Sequence, residues 1–261
     1  AIALAALDTE AELDAIKQAQ SKNIPLIGFD SGVPGAPDGA IKATASTDNH
    51  AAGANAAEHL FPLLEKKLGD KPVRIGVVSQ EANSLSITQR TSGFIDKMVE
   101  LLEKKGIKTA VIGHDKFKNK VSESDAKAII EVRVPAQVDD AAGKTEASTV
   151  LEKADTIAIY GSNEFAAKAI INANGSFKES KLGADKILAV GFDSGALQQD
   201  AIRNGIFVGS VTQDPIQIGY QAVKLAIEAA QGKEVKDVDT GSKWYDAKNI
   251  DSDEIKPLLY K

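Results

Sequence analysis

The chain has 261 residues, 43% hydrophobic and 26% charged, enough for one large domain or for two lobes with separate cores. A net charge of −6 argues against nucleic-acid binding, for which a basic face is expected. The absence of cysteine excludes disulfides, thiolate metal sites and a cysteine nucleophile, and no apolar run approaches the length of a membrane span.

Strand and helix patterns alternate along the chain. Ala1–Leu7 reads as a buried strand, and so abrupt an apolar start leads us to expect an upstream part. Thr9 and Glu12 have capping-box spacing, and Leu13, Ile16 and Ala19 continue at helical spacing. Ile24–Phe29 is an apolar strand ending at Asp30, followed by a Gly/Pro loop over 31–40. An Ala-rich helix is expected over 48–68, with Pro62 as a kink, then a strand at Val73–Val78, a helix over 86–105 and a short strand at Lys108–Ile112. The charged stretch 114–134 is read as holding a helix near 122–130. Beyond it, helices over 140–153, 164–173, 196–204 and 215–231 alternate with strands at Thr156–Tyr160, Ile187–Phe192 and Phe207–Val211. Short apolar strands each followed by a helix predict an α/β fold of parallel sheets covered on both faces, with ligands at the strand C-termini.

One internal echo stands out. Gly28-Phe29-Asp30-Ser31-Gly32 and Gly191-Phe192-Asp193-Ser194-Gly195 each close a buried strand. A shared strand-exit turn would explain it. So would two lobes of similar build, each presenting a carboxylate at the same sheet edge. In that case the first lobe shows only two clear strands before the Gly/Pro loop, too few for a stable sheet.

Five polar residues fall where a cleft between such lobes would lie: Asp30, Arg90, Asn163, Asp193 and Gln213. Carboxylates accept from adjacent hydroxyls, an arginine donates to hydroxyl and ring oxygens, and amide side chains do both, a set that suits a neutral polyol. Two carboxylates with one arginine disfavour an anionic ligand. Each residue also has a plain role available: Asn163 as a helix cap, the aspartates as turn caps, Gln213 as loop, Arg90 as a solvated helix residue. His50, His59 and His114 show no metal-ligand spacing, and neither G-x-S-x-G nor a phosphate-binding loop occurs. No cofactor or metal is expected. Trp244 reads as a core or lobe contact more readily than as a stacking residue, and Glu100–Lys105 and Lys116–Asp125 as solvated faces.

The chain resembles the ribose/galactose-type periplasmic binding proteins of ABC transporters, a type I fold shared with the effector cores of lactose-repressor-like regulators. The resemblance rests on PLIGFDSG (25–32), STDNHAAG (46–53), QRTSGF (89–94), YGSNEFAAKA (160–169), ILAVGFDSG (187–195) and SVTQDPIQIGYQAV (210–223), in the family's order. It implies two Rossmann-like lobes: 1–46 plus 214–240, and 47–213 plus 241–261, joined by crossovers near 46–47, 212–214 and 239–245. It implies that Asp30, Arg90, Asn163, Asp193 and Gln213 bind a monosaccharide between closing lobes. It implies no catalysis, an ABC permease as partner, a monomer with no nucleic acid and no membrane insertion, and a periplasmic or envelope-anchored location. The family begins with two strand–helix units that this sequence does not show. Ser31 stands where one relative has an arginine, and Val138 near where others have an aromatic. The tail VDTGSKWYDAKNIDSDEI resembles the end of transport-type binding proteins, which argues against the first rival, a regulator's effector core; a sugar-processing enzyme and a receptor's sensor module are the other rivals.

Overall fold

The computed structural model describes residues 1–260. The chain builds two sheets. The smaller is parallel and runs in the order β1 (Ile2–Leu4), β2 (Leu26–Phe29), β3 (Ile41–Ser46), β10 (Val238–Asp239). The larger has seven strands in the order β11 (Ser242–Tyr245), β9 (Gly209–Gln213), β8 (Leu188–Phe192), β7 (Thr156–Gly161), β4 (Val73–Val78), β6 (Ala128–Arg133), β5 (Thr109–Ile112). All its pairings are parallel except β11 with β9.

Helices cover both faces of each sheet, which is why the central strands are apolar throughout rather than alternating. Every residue of β4 is buried. Against one face of the larger sheet lie α2 (Asn49–Leu64) and α3 (Leu85–Glu103), where Leu60, Phe94 and Met98 pack on Ile75, Val77 and Ile130. Against the other lie α4 (Asp140–Leu151), α5 (Glu164–Asn174) and α6 (Ala196–Arg203), with Val150, Ile170 and Ile202 on Ile159 and Ala189. The smaller sheet packs α1 (Leu13–Ser21) through Ile16 onto Leu26, and α7 (Pro215–Ala230) through Ala222 and Leu225 onto Ile27 and Ala45. Leu26 and Ile27 thus serve opposite faces, as the two-residue period of a strand requires.

The chain passes between the sheets after β3, after β9 and after β10. Two of these passages are tied side by side. Thr240 N donates to Ser46 O at 3.0 Å, Thr47 Oγ1 donates to Gly241 O at 3.1 Å, and Asp239 Oδ1 accepts from Asp48 N at 3.1 Å.

Several expectations from the sequence need correction. No helix forms near 122–130. One 3-10 turn at Glu123–Asp125 leads into strand β6, inserted between β4 and β5. Its buried Glu131 made the segment look like a charged surface, but Arg74 and Lys153 donate to that carboxylate at 2.7 and 2.6 Å. The two strands before the Gly/Pro loop are joined by Ile41–Ser46 and by Val238–Asp239, so the smaller sheet has four strands. Thr9 caps nothing: Glu12 occupies the N-cap of α1 without a side-chain bond, and Asp8 Oδ1 accepts from Glu10 N and Ala11 N instead. The strand expected over Phe207–Val211 runs from Gly209 to Gln213.

Candidate ligand-binding site

The two GFDSG segments form the same turn. Asp30 and Asp193 have φ of 60° and 71°, in the left-handed region that aspartate tolerates better than most residues. Each aspartate donates its backbone N–H to the neighbouring strand, Asp30 to Ala45 O at 3.0 Å and Asp193 to Val211 O at 2.7 Å. Backbone strain of this kind persists where the surroundings over-determine it, and it concentrates at functional sites.

A cleft of about 750 Å³ opens where the C-terminal ends of both sheets meet. Asp30, Arg90, Asn163, Asp193 and Gln213 all line it, together with Phe29, Ser31, Gln80, Glu81, Val138 and Tyr260. Its size and its few convergent polar groups in an apolar wall are those of a small-molecule site.

Arg90 is the hub. It is 3% exposed, and its guanidinium lies over the Phe192 ring at 4.1 Å. Nε donates to Asn49 Oδ1 at 2.7 Å and Nη1 to Asp193 Oδ2 at 3.4 Å, while Nη2 lies 3.8 Å from Asp30 Oδ1. This reach depends on α2 and α3 crossing closely. A Cβ on Gly53 would sit 2.2 Å from Arg90 O, and one on Gly93 would sit 2.0 Å from His50 O, so only glycines allow the contact. One guanidinium therefore serves carboxylates carried by two different sheets, using its fixed fork of donors.

The carboxylates differ in their surroundings. Asp193 accepts from Gln213 Nε2 at 2.9 Å and from Glu164 N, in the first turn of α5, at 3.1 Å. Asp30 keeps 41% of its side chain exposed. Partial burial pushes its carboxyl above the usual range; Arg90 opposes the shift, Asp193 adds to it, and Gln213 opposes it. Asn163 caps α5, accepting from Ala166 N at 3.0 Å, and its amide also donates to Gln80 Oε1 at 2.7 Å. Gln213 lines the cleft, and its Oε1 is buried without a hydrogen-bond partner.

The sequence profile of the family described as periplasmic binding protein domain matches residues 1–234. The chain belongs to this family. Its fold is the two-lobed type I periplasmic binding protein fold, and the family is one of binding proteins rather than enzymes. Among solved structures, a protein described as an ABC transporter, LacI family transcriptional regulator, from Brachyspira murdochii is 38% identical with a TM-score of 0.83 over 100% of this chain and 80% of that one. An ABC transporter solute binding protein from Agrobacterium vitis with bound D-fucose is 26% identical, TM-score 0.78, over 100% and 79%. The periplasmic component of an ABC-type sugar transport system from Hahella chejuensis is 27% identical, TM-score 0.73, over 94% and 77%. No curated protein sequence matches the chain.

Sequence reasoning passed over three residues that line this binding-protein cleft, Gln80, Glu81 and Tyr260, and one behind it, Asn49. Asn49 orients Arg90, and Gln80 orients Asn163. Glu81 shapes the entry to α3 by accepting from Ser84 N at 2.9 Å. Tyr260 reaches the cleft from the C-terminal tail. Gln80 and Glu81 had a signal, because they lie two and three residues past the end of strand β4, in the same kind of strand exit that carries Asp30. Trp244 lies outside the cleft, stacked on His59 with centroids 4.5 Å apart and packed against the larger core. Val138, 55% exposed, gives the cleft an aliphatic wall at the position where an aromatic is expected in relatives. Among the described residues no helix is long and apolar enough to cross a membrane.

Proposed function

We propose that the chain is the solute-binding protein of a bacterial ABC sugar transporter and holds a neutral monosaccharide or related polyol in the cleft between its lobes. The observation that carries this reading is the placement of Asp30 and Asp193, at the ends of strands in separate sheets, around the buried guanidinium of Arg90, with Asn163 and Gln213 beside them. Vicinal hydroxyls need acceptors and donors in alternation, and each charge-assisted bond contributes roughly 1.5–3 kcal/mol. Two carboxylates facing one arginine repel a phosphorylated sugar. The D-fucose bound by the Agrobacterium vitis relative belongs to the ligand class this chemistry favours.

In this reading the lobes are 1–46 with 214–240 and 47–213 with 241–261, hinged near 46–47, 212–214 and 239–245. The ligand-binding residues are Asp30, Arg90, Asn163, Asp193 and Gln213. Ligand contacts made from both sides favour the closed arrangement, because only that arrangement offers them all. The closed form, a monomer in the periplasm or anchored to the cell envelope, then docks on the permease, and the sugar is released unchanged.

The test is a thermal-shift screen of the full-length protein with D-fucose, D-galactose, D-arabinose, D-ribose, myo-inositol and glucose 6-phosphate. A ligand that binds only the folded state raises Tm. At least one neutral sugar is expected to raise it and the phosphate ester is not. A screen in which no neutral sugar shifts Tm, or only the phosphate ester does, overturns the reading.

A further inference from the structure

The C-terminal tail is fastened to the cleft. Ile255 is buried at 2% exposure, and the turn Lys256–Leu258 then carries the chain to the exit of β8. There Ser194 Oγ donates to Leu258 O at 3.3 Å, and Gln199 Nε2 donates at 2.7 Å to both Ser194 O and Tyr260 O. Tyr260, half-buried, lines the cleft, and its hydroxyl donates to Glu164 Oε2 at 3.1 Å. Glu164 follows Asn163 and gives its backbone N–H to Asp193. The ring therefore stands against the group of side chains that surrounds Asp193. Burial, Asp193 and Glu164 all push the phenol above its ordinary range, so it stays a protonated donor. With its hydroxyl engaged by Glu164, the ring is oriented and its rotamer entropy is already lost before a ligand arrives.

We propose that Tyr260 is a ligand-facing, specificity-determining residue of the cleft, its ring forming an aromatic wall that Val138 does not supply, and that the segment 255–260 is the strap that positions it. This rests on the sugar-binding reading above. A sugar presents C–H groups on one ring face and hydroxyls at its rim. An aromatic ring buries the first while the aspartates and amides take the second, a division that favours ligands with a flat apolar face. Gln199, which holds the Tyr260 carbonyl, acts as a positioning residue.

The test is calorimetry on full-length protein with whichever sugar of the screen raises Tm most, using Tyr260→Phe, Tyr260→Leu and Tyr260→Ala. Tm without sugar verifies that each variant is folded, and Tyr260→Leu retains apolar bulk should the alanine variant unfold. Tyr260→Phe is expected to bind within about twofold of the native protein, and Tyr260→Leu and Tyr260→Ala about tenfold more weakly. A folded leucine or alanine variant with native affinity overturns the inference and leaves the sugar-binding reading standing. A native protein that binds none of the sugars overturns the reading, and the inference with it.

Discussion

The turns at Gly28–Gly32 and Gly191–Gly195 share five residues and a left-handed aspartate, yet the two carboxylates stand in different surroundings. Asp193 is tied by Gln213, by Glu164 N and by Arg90, and keeps only 13% of its side chain exposed. Asp30 has one long ion pair to Arg90, 3.8 Å, and 41% exposure. The serines diverge in the same way. Ser194 donates to Leu258 O, within the larger half of the molecule, whereas Ser31 Oγ accepts from Ser86 N of α3 and so joins the smaller sheet's turn to the helix on the larger one. One turn is held by several short contacts, and the other by fewer and longer ones. That is the asymmetry a closing cleft needs, since a hinge opens only if one set of cross-cleft contacts is weak.

Removing the shared guanidinium breaks the comparison most severely. Arg90→Ala leaves Asp193 and Asn49 without their buried donor and sets the two carboxylates against each other. We expect a loss of about 3 kcal/mol in unfolding free energy, as for other buried pairs stripped of one partner. Sugar affinity is expected to fall about a hundredfold in calorimetry. A variant with native urea midpoint and native affinity would remove Arg90 from the centre of the site.

The aspartates separate at the next level. Asp193→Asn replaces one carboxylate oxygen by an amide N–H₂, which faces either Gln213 Nε2 or the pair Glu164 N and Arg90, all of them donors, and is expected to lower stability by about 2 kcal/mol along with affinity. Asp30→Asn is expected to weaken sugar binding about tenfold while leaving Tm at pH 7 unchanged or raised. The sign follows from the upward shift at Asp30. The native state disfavours its charged form, so below the raised folded value and down toward the ordinary 3.8 the native state holds a proton that the unfolded chain has not yet taken up. The Asp30 contribution to stability therefore improves as pH falls through that window. Affinity moves the other way, because protonation removes the charged acceptor. A urea series and a calorimetric series across mildly acidic pH should show these opposite slopes in the native protein and neither in Asp30→Asn.

The chemistry of the site was more legible in the sequence than parts of the scaffold. Asp30 and Asp193 follow apolar strands directly, Asn163 comes two residues past β7 and Gln213 ends β9, and in a parallel sheet such strand ends are already at the functional edge. Strand β6 was hidden because Glu131 interrupts its apolar run, and only the folded sheet brings Arg74 and Lys153 to that carboxylate. Strand β3 was hidden by small residues and Lys42. Its hydrogen bonds come from β2 on one side and from distant β10 on the other, pairings with no local trace. Asn49 was invisible for a similar reason: its partner Arg90 is met only through the Gly53–Gly93 crossing of two helices.

The smallest expected effect probes the serines. Ser31→Ala removes a hydrogen bond made across the cleft, from Ser86 N to Ser31 Oγ at 3.2 Å, and this bond exists only when the two halves are together. On the lobe-closure proposal an open arrangement lacks it, so unfolding of the ligand-free protein is expected to change little while sugar affinity falls about threefold, the worth of one ordinary hydrogen bond. Ser194→Ala removes a bond internal to one half, present whether or not the cleft is closed. It is expected to lower the urea midpoint by the equivalent of about 1 kcal/mol. The two alanines thus sit at matching positions of one repeated turn and move different observables, binding for the first and stability for the second. Equal effects on both observables would mean that the two turns are equivalent and that the cleft does not open at Asp30.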